Sequence, residues 1–226
     1  ASSTLLTLLT LACLVGYWGY RTIIDYSQIP LVLTEAKELT IARGTSVHQL
    51  AQQLETDGVI QDKWKLKWLL RLHPELAKIR TGLYEMSPSQ TLADLLNDLV
   101  NGKVKTFSLT LVEGKTIAEW EQQLASAPHL QLTPEVFSAV LMEQGDDSAL
   151  PEGKFFPDTY HYTADSDAKV LLTQSYKMME QELAKAWAER VPDLPLKSPY
   201  QMLILASIVE KETGQAFERD QIAGVF

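Results

Sequence analysis

The N-terminal segment constrains the architecture of this chain more than any other feature. From Leu5 to Tyr20 the sequence reads LLTLLTLACLVGYWGY and carries no charged side chain. A helix that crosses a bilayer needs roughly 17–25 mostly apolar residues, and the segment reaches that length when residues 1–4 are included. Three interpretations fit such a segment: a single-pass membrane anchor, a cleavable signal peptide and a buried core helix.

The residues that close the apolar run favour the anchor. Tyr17, Trp18 and Tyr20 are typical of the aromatic belt at a membrane interface, and the residues that follow contain no small-x-small cleavage site. The chain begins at Ala1 without a methionine or a basic flank, so we expect its extreme N-terminus to be missing. Without that flank the positive-inside rule predicts no orientation.

The charge of the chain is concentrated behind the apolar run. From Asp25 onward there are 19 basic and 29 acidic side chains, a net charge of −10, which argues against broad binding to nucleic-acid phosphates. A single cysteine, Cys13, excludes an intramolecular disulfide and a multi-thiolate zinc site. The four histidines lack zinc-hydrolase spacing, and nucleotide-binding glycine motifs are missing from the sequence. We therefore predict no metal and no cofactor.

Hydrophobic periodicity predicts a mixed α+β fold. After a tether at residues 25–36, a strand, two helices and a returning strand at 79–86 form a two-layer module. A second pass follows, with a helix stopped by Asn101-Gly102, a strand from Lys103 and helices at 116–125, 134–144, 167–190 and from Pro199. Residues 146–163 are predicted to form an aromatic loop.

The helix at 63–72 combines basic and aromatic residues at helical spacing. One face carries Lys63, Lys67 and Arg71. The adjoining face carries Trp64, Trp68 and Leu72. Such tryptophans could stack on sugars or bases. We favour a buried tryptophan stripe beneath a solvated lysine face, because ordinary amphipathic packing explains the same spacing.

The last helix carries the strongest candidate for chemistry. Residues 202–213 read MLILASIVEKET, and Ser207 is the only polar residue among the eight before Glu210. This pattern predicts a helix buried on nearly all faces, with the carboxyl group of Glu210 continuing an apolar stripe. Burial would favour the protonated carboxyl group that a general acid needs.

The end of that helix adds to the argument for Glu210. If Gly214 stops the helix, Glu210 and Glu212 lie in its last turn, where the helix dipole disfavours carboxylates. The alternative is that Glu210 forms an ion pair with Arg219 or a lysine where the helix emerges into water. The sequence leaves both possibilities open.

Three segments carry a resemblance to a known family. LVEGKT (111–116), EGKFFPDTY (152–160) and LASIVEKETGQAFERDQIAGVF (205–226), in this order behind a membrane span, resemble the endolytic murein transglycosylase family, also called YceG-like. The resemblance implies a single-pass protein of the bacterial plasma membrane whose bulk lies outside the cytoplasm. It further implies an anchor at 1–24, a LysM-like subdomain at 37–102 and a catalytic α/β domain at 103–226.

The resemblance also implies a reaction and a site. Glu210, the first acid of the E-K-E-T motif, would protonate the bond between N-acetylmuramic acid and N-acetylglucosamine, and the sugar's own C6 hydroxyl would attack C1 to leave a 1,6-anhydro end. One carboxylate suffices because the substrate supplies the nucleophile. We expect Phe156, Asp158, Tyr160 and Glu212 to bind the glycan.

The chain departs from the family in one respect. It stops at Phe226, where the family continues into a segment that completes the active-site cleft, so we expect a truncated chain whose activity alone is in doubt. The alternative functions are a non-catalytic, membrane-tethered peptidoglycan-binding protein, and a scaffold whose helix at 63–72 docks a penicillin-binding cell-wall synthase.

Overall fold

A computed structural model describes residues 2–191, 194–213 and 215–225. The chain is a mixture of helices and short strands, which confirms the predicted α+β class, and it separates into two units, Ala1–Lys105 and Thr106–Phe226. Each unit has its own apolar core.

Unit 1 contains the predicted strand-helix-helix-strand order. Its elements are α1 (Ser2–Ser27), β1 (Lys37–Ile41), α2 (Val47–Thr56), α3 (Lys63–Leu72), a 3₁₀ turn (Pro74–Ala77), β2 (Gly82–Met86) and α4 (Leu92–Asn101). The two strands are antiparallel, with Lys37 opposite Met86 and Ile41 opposite Gly82. The LysM-like assignment of residues 37–102 stays a prediction.

Local signals explain where the helices of unit 1 begin and end. Ser46 opens α2 with a reciprocal capping box to Gln49, and Thr91 opens α4 in the same way. Gly102 ends α4 in the left-handed conformation, at φ 69°.

Helix α1 has two parts with different surroundings. Its large apolar side chains from Leu6 to Tyr20 are exposed, whereas Ile23 and Tyr26 are buried in the leucine core of unit 1. The exposed part contradicts the interpretation as a buried core helix. Within the described residues, one segment, Leu6–Ser27, is long and apolar enough to cross a membrane. The predicted tether packs against unit 1, since the Leu31 amide donates to the Gln90 carbonyl at 2.9 Å.

The predicted burial of the tryptophans on α3 is wrong. Leu66, Leu69 and Leu70 face the core, and Trp64 and Trp68 are half exposed. The sequence KWKLKWLLRL carries two apolar stripes, and either has the spacing of a core-facing helix. The leucine stripe of α3 packs against leucines from α2 and α4 in the core of unit 1.

Unit 2 is built around one long helix and two small sheets. Its elements are β3 (Thr106–Thr110), α5 (Ile117–Ser126), β4 (Leu130–Gln131), α6 (Val136–Glu143), β5 (Thr159–Thr163), β6 (Ser166–Asp167), α7 (Ala168–Ala188), α8 (Pro199–Glu212), a 3₁₀ turn (Ala216–Glu218) and α9 (Arg219–Ala223). Strand β3 pairs with β5 antiparallel, and β4 pairs with β6 in parallel.

The predicted loop at 146–163 is in part a strand. Its last five residues, TYHYT, form β5, in which Tyr160 and Tyr162 are buried and their neighbours are exposed. This alternation is the two-residue period of a strand with one buried face. Phe155, just before the strand, meets Phe137 edge to face at 4.9 Å between ring centroids.

The start of β2 supplies a test of the fold. Gly82 has φ 144°, and a Cβ added there would overlap with Cγ1 of Val104. We expect Gly82→Ala to lower the stability of the β1–β2 pair by about 2–4 kcal/mol, because steric overlap adds to backbone strain. Hydrogen exchange of the β1 and β2 amides measures the loss.

Gly44→Ala is the matched control. Gly44 also has positive φ, 85°, but an added Cβ would meet no atom within 4 Å. It should cost only the backbone strain, about 1–2 kcal/mol. Equal loss of protection in the two variants would contradict the packing argument.

Candidate active site

A groove of about 450 Å³ in unit 2 brings together the three segments that carry the family resemblance. One wall is the turn before α5 with the start of that helix, the second is residues 152–157, and the third is one face of α8. The side chains used below are Glu152, Tyr200, Ile204, Glu210 and Lys211, all of which line the groove.

The start of α5 is held by a dense set of hydrogen bonds. Thr116 and Glu119 form a capping box, and Lys115 donates to Glu119 at 2.7 Å. The Lys115 ammonium, followed by the Thr116 donors, lowers the pKa of Glu119 to about 2. Trp120 Nε1 donates to the Val112 carbonyl at 3.0 Å, which holds the preceding turn against the helix.

The three walls are joined to one another by polar contacts. Glu152 Oε1 accepts the Ile117 amide at 3.1 Å, at the open N-terminus of α5. The Tyr200 hydroxyl donates to the Glu152 carbonyl at 3.2 Å, and Lys211 Nζ donates to the Gly114 carbonyl at 3.1 Å. Lys154 Nζ lies 4.8 Å from the Tyr200 ring centroid. Each wall therefore contacts at least one other.

A partly buried ion pair supports the segment at 152–157. Lys154 Nζ lies 2.8 Å from Asp146 Oδ2, and the Tyr176 hydroxyl donates to the same oxygen at 3.2 Å. The Lys154 ammonium, followed by the Ser148 donors, holds the pKa of Asp146 well below its usual range. Burial, with the nearby carboxylates, raises the pKa of Tyr176 to about 12.

Glu210 lines the groove but is not buried. Its side chain is 53% exposed, and Oε2 lies 3.0 Å from the Arg219 guanidinium on α9. The predicted desolvation of Glu210 is therefore wrong, and the alternative ion pair with Arg219 is the one that forms. The predicted burial of α8 is also wrong, because Val209 is its one buried side chain among the described residues. The apolar stripe with Ile204 borders the groove instead of a core.

The end of α8 has its own set of contacts. Glu212 is the last helical residue and is exposed. The Thr213 amide donates to the Val209 carbonyl, and the Thr213 hydroxyl donates to Glu218 at 2.8 Å. The predicted stop, Gly214, lies outside the described residues. The sequence correctly places Glu210 and Glu212 in the last turn.

The other predicted binding residues do not line the groove. The Phe156 carbonyl accepts the Tyr160 and Ser175 hydroxyls at 2.7 and 3.0 Å, and the Tyr160 ring is buried in the core. Asp158 is exposed, and its carbonyl accepts the Leu111 amide. Phe156, Asp158, Tyr160 and Glu212 do not line the groove, and their roles in binding stay predictions.

Sequence reasoning missed three groove residues. Glu152 lies in the segment that carries the resemblance, but its contact with α5 depends on a residue 35 positions away. Tyr200 and Lys211 contact other walls of the groove across separations of 48 and 97 residues. The described residues contain no cluster of three His, Cys, Asp or Glu side chains suited to a metal ion.

Comparison with known proteins identifies the family. A family model described as the YceG-like family matches residues 39–226. The chain belongs to the YceG-like family. It is 26% identical over 254 aligned residues to proteins named endolytic murein transglycosylase from two strains of Streptococcus pneumoniae, D39 and R6. The alignments cover 98% of this chain and 45% of each relative, so the chain spans about half the length of these relatives.

A solved structure of a YceG-like protein is also similar to part of this chain. The yceG-like protein of Listeria monocytogenes is 21% identical, with a TM-score of 0.40, over 83% of this chain and 67% of that protein. The family match confirms the resemblance seen in the three sequence segments.

The Asp146–Lys154 pair leads to a prediction about acid stability. Because the folded-state pKa of Asp146 is depressed, the pair stabilises the fold above the ordinary aspartate pKa of about 3.9, and this contribution is lost as pH falls below it. We expect Asp146→Asn to lower the thermal unfolding midpoint at pH 7 and to reduce its fall below about pH 4.

Asp147→Asn is the matched control, since Asp147 is the exposed neighbour of Asp146. Its unfolding midpoint should follow that of the unmodified chain at every pH. An Asp146→Asn midpoint that falls as steeply in acid as the unmodified chain would contradict the prediction.

Proposed function

We propose that this chain forms part of an endolytic peptidoglycan lytic transglycosylase and that Glu210 is its general acid and base. The observation that carries the proposal is the position of Glu210 on the wall of the groove where all three resembling segments meet. Family membership and relatives named endolytic murein transglycosylase support it. Peptidoglycan glycan strands are then the substrate.

The proposed reaction needs one carboxyl group. The Glu210 proton goes to the glycosidic oxygen between N-acetylmuramic acid and N-acetylglucosamine, and the bond from that oxygen to C1 breaks. The C6 hydroxyl oxygen of the same muramic residue bonds to C1, and its proton returns to Glu210. The products are a 1,6-anhydro end and a free hydroxyl end. No water is consumed.

The ion pair with Arg219 gives Glu210 two states. In the free protein the Arg219 guanidinium lies 3.0 Å from Oε2 of Glu210. A glycan strand that fills the groove excludes water and would favour the neutral acid once this contact opens. After proton transfer Arg219 is in place to stabilise the carboxylate. We therefore propose Arg219 as a partner that Glu210 leaves and regains during the cycle.

The groove also has the chemical character of a sugar site. Apolar and aromatic surfaces from Tyr200 and Ile204 suit the C–H faces of a pyranose, and Glu152 and Lys211 supply polar groups for its hydroxyls. A site that acts on glycan strands needs access to the cell wall. We propose that α1 anchors the chain in the plasma membrane, that the remainder lies outside the cytoplasm, and that unit 1 acts as a LysM-like glycan-binding module.

Replacement of the acid is the direct test. The full-length protein is incubated with purified murein strands, and the anhydro-ended fragments are quantified by mass spectrometry. We expect Glu210→Gln to lower the cleavage rate by roughly 10²–10⁴-fold, because glutamine has no proton to donate. Glu182→Gln, an exposed position on α7, is the matched control and should cleave normally.

Two outcomes would overturn the proposal. Equal yields of anhydro ends from Glu210→Gln and the unmodified protein would show that another group is the acid. Strand binding without cleavage by the unmodified protein would favour the non-catalytic peptidoglycan-binding alternative.

The aromatic wall of the groove gives a second test. We expect Tyr200→Ala to weaken the binding of glycan fragments about tenfold through loss of the stacking surface. Tyr200→Phe keeps the ring and removes only the hydrogen bond to the Glu152 carbonyl, so its affinity should remain close to that of the unmodified protein. Isothermal titration calorimetry measures both. Equal affinities for the alanine and phenylalanine variants would exclude stacking on Tyr200.

A further inference from the structure

Helix α3 presents an apolar face that is about half exposed and lies outside the leucine core of unit 1. Trp64 and Trp68 are 53% and 51% exposed, and Leu72 lies one further turn along the same stripe and is also exposed. The opposite side of α3 carries the buried leucines. A rotation of the helix that buried the tryptophans would therefore expose these leucines. Large aromatic side chains left in water are unfavourable, which indicates that this face meets another apolar phase.

The same face borders the candidate membrane helix. Trp64, Trp68 and Leu72 line an apolar groove of about 350 Å³ together with Gly16–Ile23 of α1. Trp18 and Tyr20, the aromatic residues at the end of the apolar run, are among the lining residues. The exposed stripe of α3 is therefore at the same height along α1 as this aromatic pair.

The height of a bilayer along α1 is bounded on one side. Ile23 and Tyr26 are buried in the protein core, and Arg21 and Asp25 form an exposed ion pair at 3.7 Å. The hydrocarbon must therefore end near Trp18–Arg21. The stretch Gly16–Ile23 is about 10 Å long at 1.5 Å per residue, which is comparable to the polar layer on one side of a bilayer.

We propose that the Trp64, Trp68 and Leu72 face of α3 is a second membrane contact, inserted into the headgroup layer of the bilayer that α1 crosses. This inference rests on the proposed anchoring role of α1. Tryptophan is enriched in that layer, and a helix with an apolar and a basic face lies along it. Arg71 Cζ lies 5.6 Å from the Trp68 ring centroid, at a level suited to lipid phosphates. Lys65 Nζ lies 5.6 Å from the Trp64 ring centroid and is paired with Asp62 at 2.7 Å.

This contact has a mechanical consequence for unit 1. A single helix in a bilayer is free to tilt and rotate with whatever it carries. A second contact from α3 fixes the orientation of unit 1 on the membrane surface, because the buried leucines of α3 belong to the same core as β1, β2 and α4.

The test uses the complete chain labelled with 5-fluorotryptophan and placed in phospholipid nanodiscs. Fluorine NMR resolves the tryptophans, and Trp64→Phe and Trp68→Phe assign two resonances. Relaxation is measured with lipids spin-labelled near the headgroup and, separately, with a water-soluble gadolinium chelate. We expect Trp64 and Trp68 to relax several-fold faster with the labelled lipid than with the chelate. Trp120, buried in the core of unit 2, should respond weakly to both.

Trp18 separates failure of this inference from failure of the anchor. If Trp18 responds to the lipid label and Trp64 and Trp68 respond to the chelate, α1 is an anchor and the second contact does not exist. If Trp18 itself responds to the chelate, the anchor fails and the inference falls with it. If Trp64 and Trp68 are shielded from both agents while Trp18 responds to lipid, a protein covers the face and the proposed lipid contact is wrong.

Discussion

The hydrogen bond from the Ile117 amide to Glu152 is the contact on which the groove depends. It satisfies one of the open amides at the start of α5 and at the same time attaches the segment at 152–157 to that helix. The Tyr200 hydroxyl continues the chain of contacts to α8 through the Glu152 carbonyl. Three segments far apart in sequence become three walls of one site because backbone groups at their ends need partners.

Glu210 lines the groove, although the burial that singled it out in the sequence is absent from the structure. The apolar run before it predicts burial, yet its carboxylate is half exposed and contacts Arg219. Hydrophobic periodicity reports that a stripe meets an apolar surface, but a groove wall satisfies that pattern as well as a core does. The proposed chemistry therefore places the desolvation of Glu210 in the complex with a glycan rather than in the free protein.

The two tryptophans of α3 illustrate the same limit in unit 1. The helix carries a leucine stripe and a tryptophan stripe, and its sequence alone does not rank them. The leucine core contributed by α2 and α4 accepts the leucines, which leaves the tryptophans beside the C-terminal half of α1. Residues that resemble core residues in the sequence thereby form a surface beside Trp18 and Tyr20 of α1.

Local signals in the sequence were sufficient for the class of the fold, most helix boundaries and the family. Ser46, Thr91 and Thr116 begin helices, and Gly102 ends one, because capping depends on atoms within three or four residues. Three ordered segments were enough to indicate the YceG-like family that the family model matches. Which apolar stripe is buried, whether Glu210 is solvated, and which side chains complete the groove were decided only by the tertiary structure. These depend on contacts such as Ile117 with Glu152 and Glu210 with Arg219, and the strength of such contacts is set by neighbours that no local pattern specifies.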